Sequence, residues 1–104
     1  MKVFPLLFPT LTEGYLKQLV QIDDKMVLKM GTVFFKAGVR IPETGLKANF
    51  EHEISIIVEG SIKAITVDGE QIIRAGEIIQ FAPNEMQGGE ILEDCKIIWV
   101  LLGK

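Results

Sequence analysis

The sequence is poor in the residues that most chemistry needs: one histidine, one cysteine, one tyrosine and one tryptophan in 104 residues. A single imidazole excludes any site that draws two histidines from one chain. Lone Cys95 excludes an internal disulfide, and beside the apolar run from Ile97 to Leu102 it reads as a buried, inert thiol in a reducing compartment. Positive charge is also short: the formal net charge is −3, which leaves no field to draw in phosphate backbones or anionic lipid, so nucleic acid is not an expected partner. No run of eighteen apolar residues exists to span a bilayer as a helix. The apolar stretch from Val3 to Phe8 is interrupted by Pro5, is followed by Pro9 and lacks a small-residue cleavage site, so it is too short for a signal peptide. The expectation is a soluble, cytoplasmic protein without a membrane partner.

What is present is apolar and β-branched. From Glu51 to Pro83 the runs 54–58, 62–67 and 72–81 are punctuated by Gly60, Asp68-Gly69 and Ala75-Gly76, the pattern of a strand meander. Asp68-Gly69 is the strongest hairpin signal and predicts a type I′ turn. Residues 26–36 predict a long strand, with Gly31 marking a bulge or the close approach of another backbone. Residues 15–22 leave helix and strand in competition. Leu11, Tyr15 and Leu19 recur at helical spacing and Thr10 with Glu13 resembles a capping box, but Gly14 and the run into Asp23-Asp24 favour a strand. Residues 1–14, with two prolines, predict an edge segment or an arm lying over a sheet face. The segments 37–49 and 82–89 predict loops, and 96–102 a last strand. With short turns and no convincing helix, the fold class is all-β, a single-domain sandwich or barrel, with 1–25 as arm and first strand and 26–104 as the barrel.

Alternation sorts the side chains of the first meander strand. Glu53, Ser55 and Ile57 share one face; His52, Ile54, Ile56 and Val58 share the other. Apolar residues on both faces predict that both are covered, one by the barrel interior and the other by the arm or by a second copy in a homodimer.

With its turns placed, the chain resembles the cupin superfamily, small jelly-roll barrels in which two motifs surround a pocket, over about residues 26 to 102. In the first motif a Gly precedes a His-x-His pair, a Glu and, after six further residues, a Gly; Glu53 and Gly60 match in type and spacing. The second runs from Gly-Asp or Gly-Glu through apolar residues to a Pro-containing turn and a His. Gly76-Glu77, Ile78-Ile79-Gln80-Phe81 and Pro83 follow it, with Asn84 at the turn's usual glycine. The departures fall on the metal ligands. Counting forward from Gly38 puts the His-x-His pair on Thr44 and Leu46; counting back from Glu53 puts it on Leu46 and Ala48 or on Lys47 and Asn49. The second motif's His falls on Gln87 and the asparagine that often follows on Ile91.

The resemblance therefore implies a jelly-roll β-barrel with a degenerate metal site. Carboxylates and amides at Glu51, Glu53 and Gln87 suit Mg, Mn or Ca, but solvated glutamates on strands are far commoner than ligands, so no metal or other cofactor is expected. The expected pocket is lined by Glu53, Ser55 and Gln87 and overhung by Asn49 and Glu51, with Leu46, Ile57 and Ile91 as its aliphatic positions. Glu53 is the candidate catalytic acid or base, His52 is expected on the outer face, and Trp99 is expected in the core. The function so implied is binding of a small polar ligand, a carbohydrate or an organic acid. The alternatives are a metal-independent isomerase, epimerase or lyase working through Glu53, and a structural dimer with a filled barrel.

Overall fold

The computed structural model describes Lys2, residues 4–10 and residues 12–103. Leu11 of the helical spacing and Val3 of the N-terminal apolar run lie outside the described residues. Among the described residues seven strands follow in order: β1 Leu16–Asp23, β2 Val27–Phe35, β3 Arg40–Ile41, β4 His52–Thr66, β5 Gly69–Arg74, β6 Ile78–Phe81 and β7 Gln87–Gly103. All pairings are antiparallel. Among the described residues no helix is long and apolar enough to cross a membrane.

Two long strands, β4 and β7, run side by side through both halves of the molecule and bend together. Their first pairing, from His52↔Leu102 to Ile57↔Ile97, belongs to a sheet completed by β2 and β1 on one side and β6 on the other. Their second pairing, from Ile62↔Ile91 to Thr66↔Gln87, belongs to a sheet completed by β3 and β5. Register shifts between Ile57 and Ile62 mark the corner. Gly60 stands at that corner with φ +83°, and a Cβ there would lie 2.2 Å from the carbonyl oxygen of Asp94. Only glycine meets both demands. The Asp94 side chain secures the same corner: its carboxylate accepts from the Ala37 N–H at 2.9 Å and from Lys36 Nζ at 3.2 Å, and these contacts, the Ala37 N–H first, hold its pKa below the ordinary carboxylate range.

Several boundaries differ from the sequence reading. The runs 54–58 and 62–67 form one bent strand, because Gly60 turns the chain without breaking its pairing. The loop expected at 82–89 ends early, with β7 starting at Gln87. Gly88 and Gly89, read as breakers, serve close packing instead: a Cβ at Gly89 would meet Ile62 Cδ1 at 2.9 Å. The hairpin is present but shifted by one residue. Thr66 pairs with Gly69, the turn residues are Val67 and Asp68, and only Gly69 has positive φ (132°), so the turn is not type I′. Residues 16–23 are a strand, and the Thr10–Glu13 motif closes a tight turn: Thr10 N donates to Glu13 Oε1 at 3.0 Å and Glu13 N to the Thr10 carbonyl at 3.1 Å.

Gly31 does allow a close approach. A Cβ there would lie 2.0 Å from the Lys17 carbonyl oxygen and 2.5 Å from the indole of Trp99, and the β1 register slips beside it, between Gln18 and Val20. Between the sheets, Val33, Ile57, Ala64, Ile73, Ile91, Cys95 and Ile97 form the buried core. Cys95 is fully buried, and burial first, then the nearby Glu93, pushes its thiol up to about 11.

The two outer faces differ. On the β3/β5 sheet Lys63 sits between Glu70 and Glu90, at 3.6 and 3.2 Å. On the other sheet the register lines up Met30, Val100 and Ile54 in one row and Thr32, Ile98, Ile56 and Ile78 in the next. The N-terminal arm covers part of this face, where Thr32 Oγ1 donates to the Leu7 carbonyl at 2.6 Å and Pro9 is buried. The arm leaves Ile54 38% and Ile78 64% exposed.

Candidate functional site

The core fills only one end of the barrel. At the other end a cavity of about 290 Å³ opens between the sheets. One wall comes from the cross-strand rows of the β2/β7/β4/β6 sheet: Trp99, Ser55 and Ile79 in one row, Leu101, Glu53 and Phe81 in the next. Ile62, Ala64, Gly88 and Gly89 face them from the second sheet, and Tyr15, Leu16, Lys47, Asn49 and Gln87 ring the mouth.

Within this apolar wall the polar groups converge on Glu53. Asn49 Nδ2 donates to Glu53 Oε1 at 2.6 Å, and Ser55 Oγ donates to Oε2 at 3.4 Å. The arrangement follows from local structure. Ser55 is two residues from Glu53 on one strand face, and Asn49 lies on the loop that bends at Phe50 and Glu51 to enter β4. The loop is fastened across the mouth by paired backbone bonds: Lys47 N donates to the Gln87 carbonyl at 2.9 Å and Gln87 N to the Lys47 carbonyl at 2.7 Å. Asn84, at the position where the second motif usually has glycine, adopts φ +64° and donates its N–H to the Asn49 carbonyl at 2.7 Å. Asparagine tolerates that left-handed conformation better than most side chains.

Of the residues expected at the pocket, Asn49, Glu53, Ser55 and Gln87 line the cavity and Glu51 does not. The bend at residues 50 and 51 ends the strand alternation, and Glu51 is buried elsewhere, with its Cγ 2.6 Å from where a Cβ on Gly103 would sit. The aliphatic positions also fall outside the lining. Ile57 and Ile91 are 1% exposed in the core, and Leu46 lies against Gly88. His52 is exposed, with parity opposite to Glu53.

Most of the other lining residues were not expected at the pocket, Trp99 and Tyr15 among them. Trp99 packs against the core, donates Nε1–H to the Thr32 carbonyl at 3.0 Å, and also forms cavity wall. Its parity with Leu101 was a usable signal, masked by the aliphatic run around it. Tyr15, distant in sequence from the motifs, is brought to the mouth by the Leu16↔Val33 register and stacks on Phe35 at 5.3 Å.

No family model and no curated protein sequence matches the chain. Solved structures do. A cupin superfamily protein from Desulfitobacterium hafniense superposes with TM-score 0.73 at 12% identity, over 86% of this chain and 76% of that one. An RmlC-like cupin with a double-stranded β-helix fold from Methanocaldococcus jannaschii gives 0.71 at 12% identity, over 99% and 89%.

The fold is the cupin barrel.

KdgF from Halomonas sp. shares it, with TM-score 0.72 at 19% identity over 86% of this chain and 77% of that one. The alternative placements of the ligand pair differ in where the fold puts them. Lys47 and Asn49 line the cavity with Glu53 and Gln87, whereas Leu46 and Ala48 do not. The polar and charged side chains that line the cavity from those candidate positions are an ammonium, two amides and one carboxylate. That set does not fit the family's three-histidine, one-carboxylate centre: an ammonium repels a cation, and neutral amides are poor ligands for a transition metal. Among the described residues no group of three His, Cys, Asp or Glu is placed to hold a metal ion.

Proposed function

We propose that the protein is a cupin-fold binding module that holds a small, hydroxyl-bearing ligand of carbohydrate type in the barrel cavity without a transition metal. The observation that carries this reading is the Glu53 carboxylate, fixed inside an apolar cavity by Asn49 and Ser55. A carboxylate so held is an acceptor aimed at donors, and the donors a small polar ligand most readily supplies are hydroxyl groups. The same negative charge disfavours an organic acid whose carboxylate enters the barrel. Flat aromatic and aliphatic wall from Trp99, Phe81 and Ile79 suits the apolar faces of a sugar ring. A cavity of about 290 Å³ favours one ring over a nucleotide, since small-molecule sites run from roughly 300 to 1,000 Å³.

Differential scanning fluorimetry against hexoses, polyols and organic acids tests this. A true ligand at a hundred times its Kd stabilises the native state by about 2.7 kcal/mol. Glu53→Gln should weaken binding by roughly 10- to 100-fold, the range for losing a hydrogen bond to a charged group, while the protein still folds. Absence of any stabilising ligand would leave the barrel a purely structural element.

A second reading is supported by Tyr15 and Lys47, which line the same cavity as Glu53 and supply the partners that acid–base chemistry would require. It predicts turnover of a bound sugar, lost in Glu53→Gln. In either case the outer face around Ile54 and Ile78 fits pairing with a second copy of the chain in the cytoplasm, because the arm leaves these cross-strand aliphatic rows partly uncovered.

A further inference from the structure

A second cavity of about 520 Å³ adjoins the first, between the N-terminal arm and the loop that follows β2. The two share Tyr15, Phe35, Ile41 and Lys47, so one continuous surface leads from the Glu53 carboxylate out past Lys47. Charge is sorted along it. The inner cavity has Glu53 as its one acidic group, whereas the outer is lined by Lys36, Arg40 and Lys47 against the single acid Glu43. Lys36 is engaged by Asp94 at 3.2 Å. Arg40 donates through Nη1 to the carbonyls of Pro42 at 2.7 Å and Gly45 at 3.1 Å, which sets its guanidinium in the loop without neutralising it. Lys47 forms no ion pair among the described residues, and its backbone is fixed at the shared wall by the paired bonds to Gln87.

We propose that this outer cavity is a second subsite that receives an anionic group, carboxylate or phosphate, on the same ligand whose hydroxylated part meets Glu53; the proposal rests on the binding reading of the barrel cavity. Arg40 and Lys47 supply charge and N–H donors for the anion, and Glu53 rejects it from the barrel, so the field fixes which end of the ligand enters. A neutral sugar uses only the inner half.

Isothermal titration of the full chain with neutral hexoses, the matching sugar acids and the matching 6-phosphates tests this. At 50 mM salt at least one anionic series should bind about tenfold more tightly than its neutral parent, and the series that gains identifies carboxylate or phosphate. Lys47→Gln should abolish that tenfold advantage, costing the anionic probe about tenfold more affinity than the neutral sugar, and 0.5 M salt should shrink the advantage in wild type. Equal affinity for neutral and anionic probes, or equal loss of both in Lys47→Gln, overturns the subsite and leaves the barrel reading intact. Binding of every probe unaltered by Glu53→Gln, or no binding at all, overturns both.

Discussion

Replacing Gly60 by alanine should remove a large share of the domain's stability, and the size of the effect can be worked out from two separable costs. The first is conformational: φ at Gly60 is +83°, and a left-handed backbone costs an L-residue roughly 1–2 kcal/mol. The second is steric, because the new Cβ would sit 2.2 Å from the Asp94 carbonyl oxygen and 3.0 Å from Cys95 Cα. Both neighbours are backbone within the β4–β7 pairing, so relief requires the strands to part, which overpacking data place at about 1–3 kcal/mol. The sum, about 2–5 kcal/mol, is a large share of the roughly 5–15 kcal/mol that stabilises a domain of this size. Gly76→Ala supplies the control: φ is +91°, nearly the same, and nothing lies within 4 Å of the added Cβ. Urea denaturation followed by Trp99 fluorescence should give a loss of about 1–2 kcal/mol for Gly76→Ala and at least 1 kcal/mol more for Gly60→Ala. Equal losses would show that the corner is not tightly closed and that the bend in β4 does not depend on glycine.

Raising pH should cost stability through Cys95. Its thiol titrates near 9.0 unfolded and is pushed to about 11 in the fold, so the native state binds more protons between those values; the contribution is complete below pH 9 and is lost as pH rises through about 11. Urea midpoints should fall over that window in wild type and not in Cys95→Ala. Glu13 shifts the other way, to about 2 from 4.5, through its hydrogen bond with Lys17 and then with Thr10. Its contribution holds above pH 4.5 and disappears as pH falls through about 2, and Lys17→Met should raise the Glu13 midpoint in a carboxyl NMR titration. Ile54→Lys on the exposed outer face should turn a dimer into monomer by analytical ultracentrifugation while leaving thermal stability at high dilution within about 1 kcal/mol; a wild-type monomer at every concentration refutes pairing there.

Much of the barrel was legible because strand periodicity and turn residues are local signals. The β-branched runs gave β2, β4 and β6, and Glu53 and Ser55 were placed on one face by parity alone. What was missed depended on contacts remote in sequence. Gly88 and Gly89 read as loop because nothing local shows that Ile62 needs the space. Asp68-Gly69 gave the hairpin but not its register, since the Thr66↔Gly69 pairing is set by the flanking strands. Glu51 sits in the bend before β4, where strand alternation no longer says which way a side chain points. Tyr15 reaches the cavity only through strand register, which leaves no mark on a single sequence, and Lys47 was legible only as one of several alternative positions between which loop closure decides.

The paired backbone bonds between Lys47 and Gln87 make the mouth of the barrel a rigid collar. The loop carrying Lys47 and Asn49 is tied by two backbone bonds to the first residue of β7, so its place at the mouth is set by the fold before a guest arrives. Such an aperture selects by shape at the threshold, and its ordering entropy is met when the chain folds and not when the guest arrives.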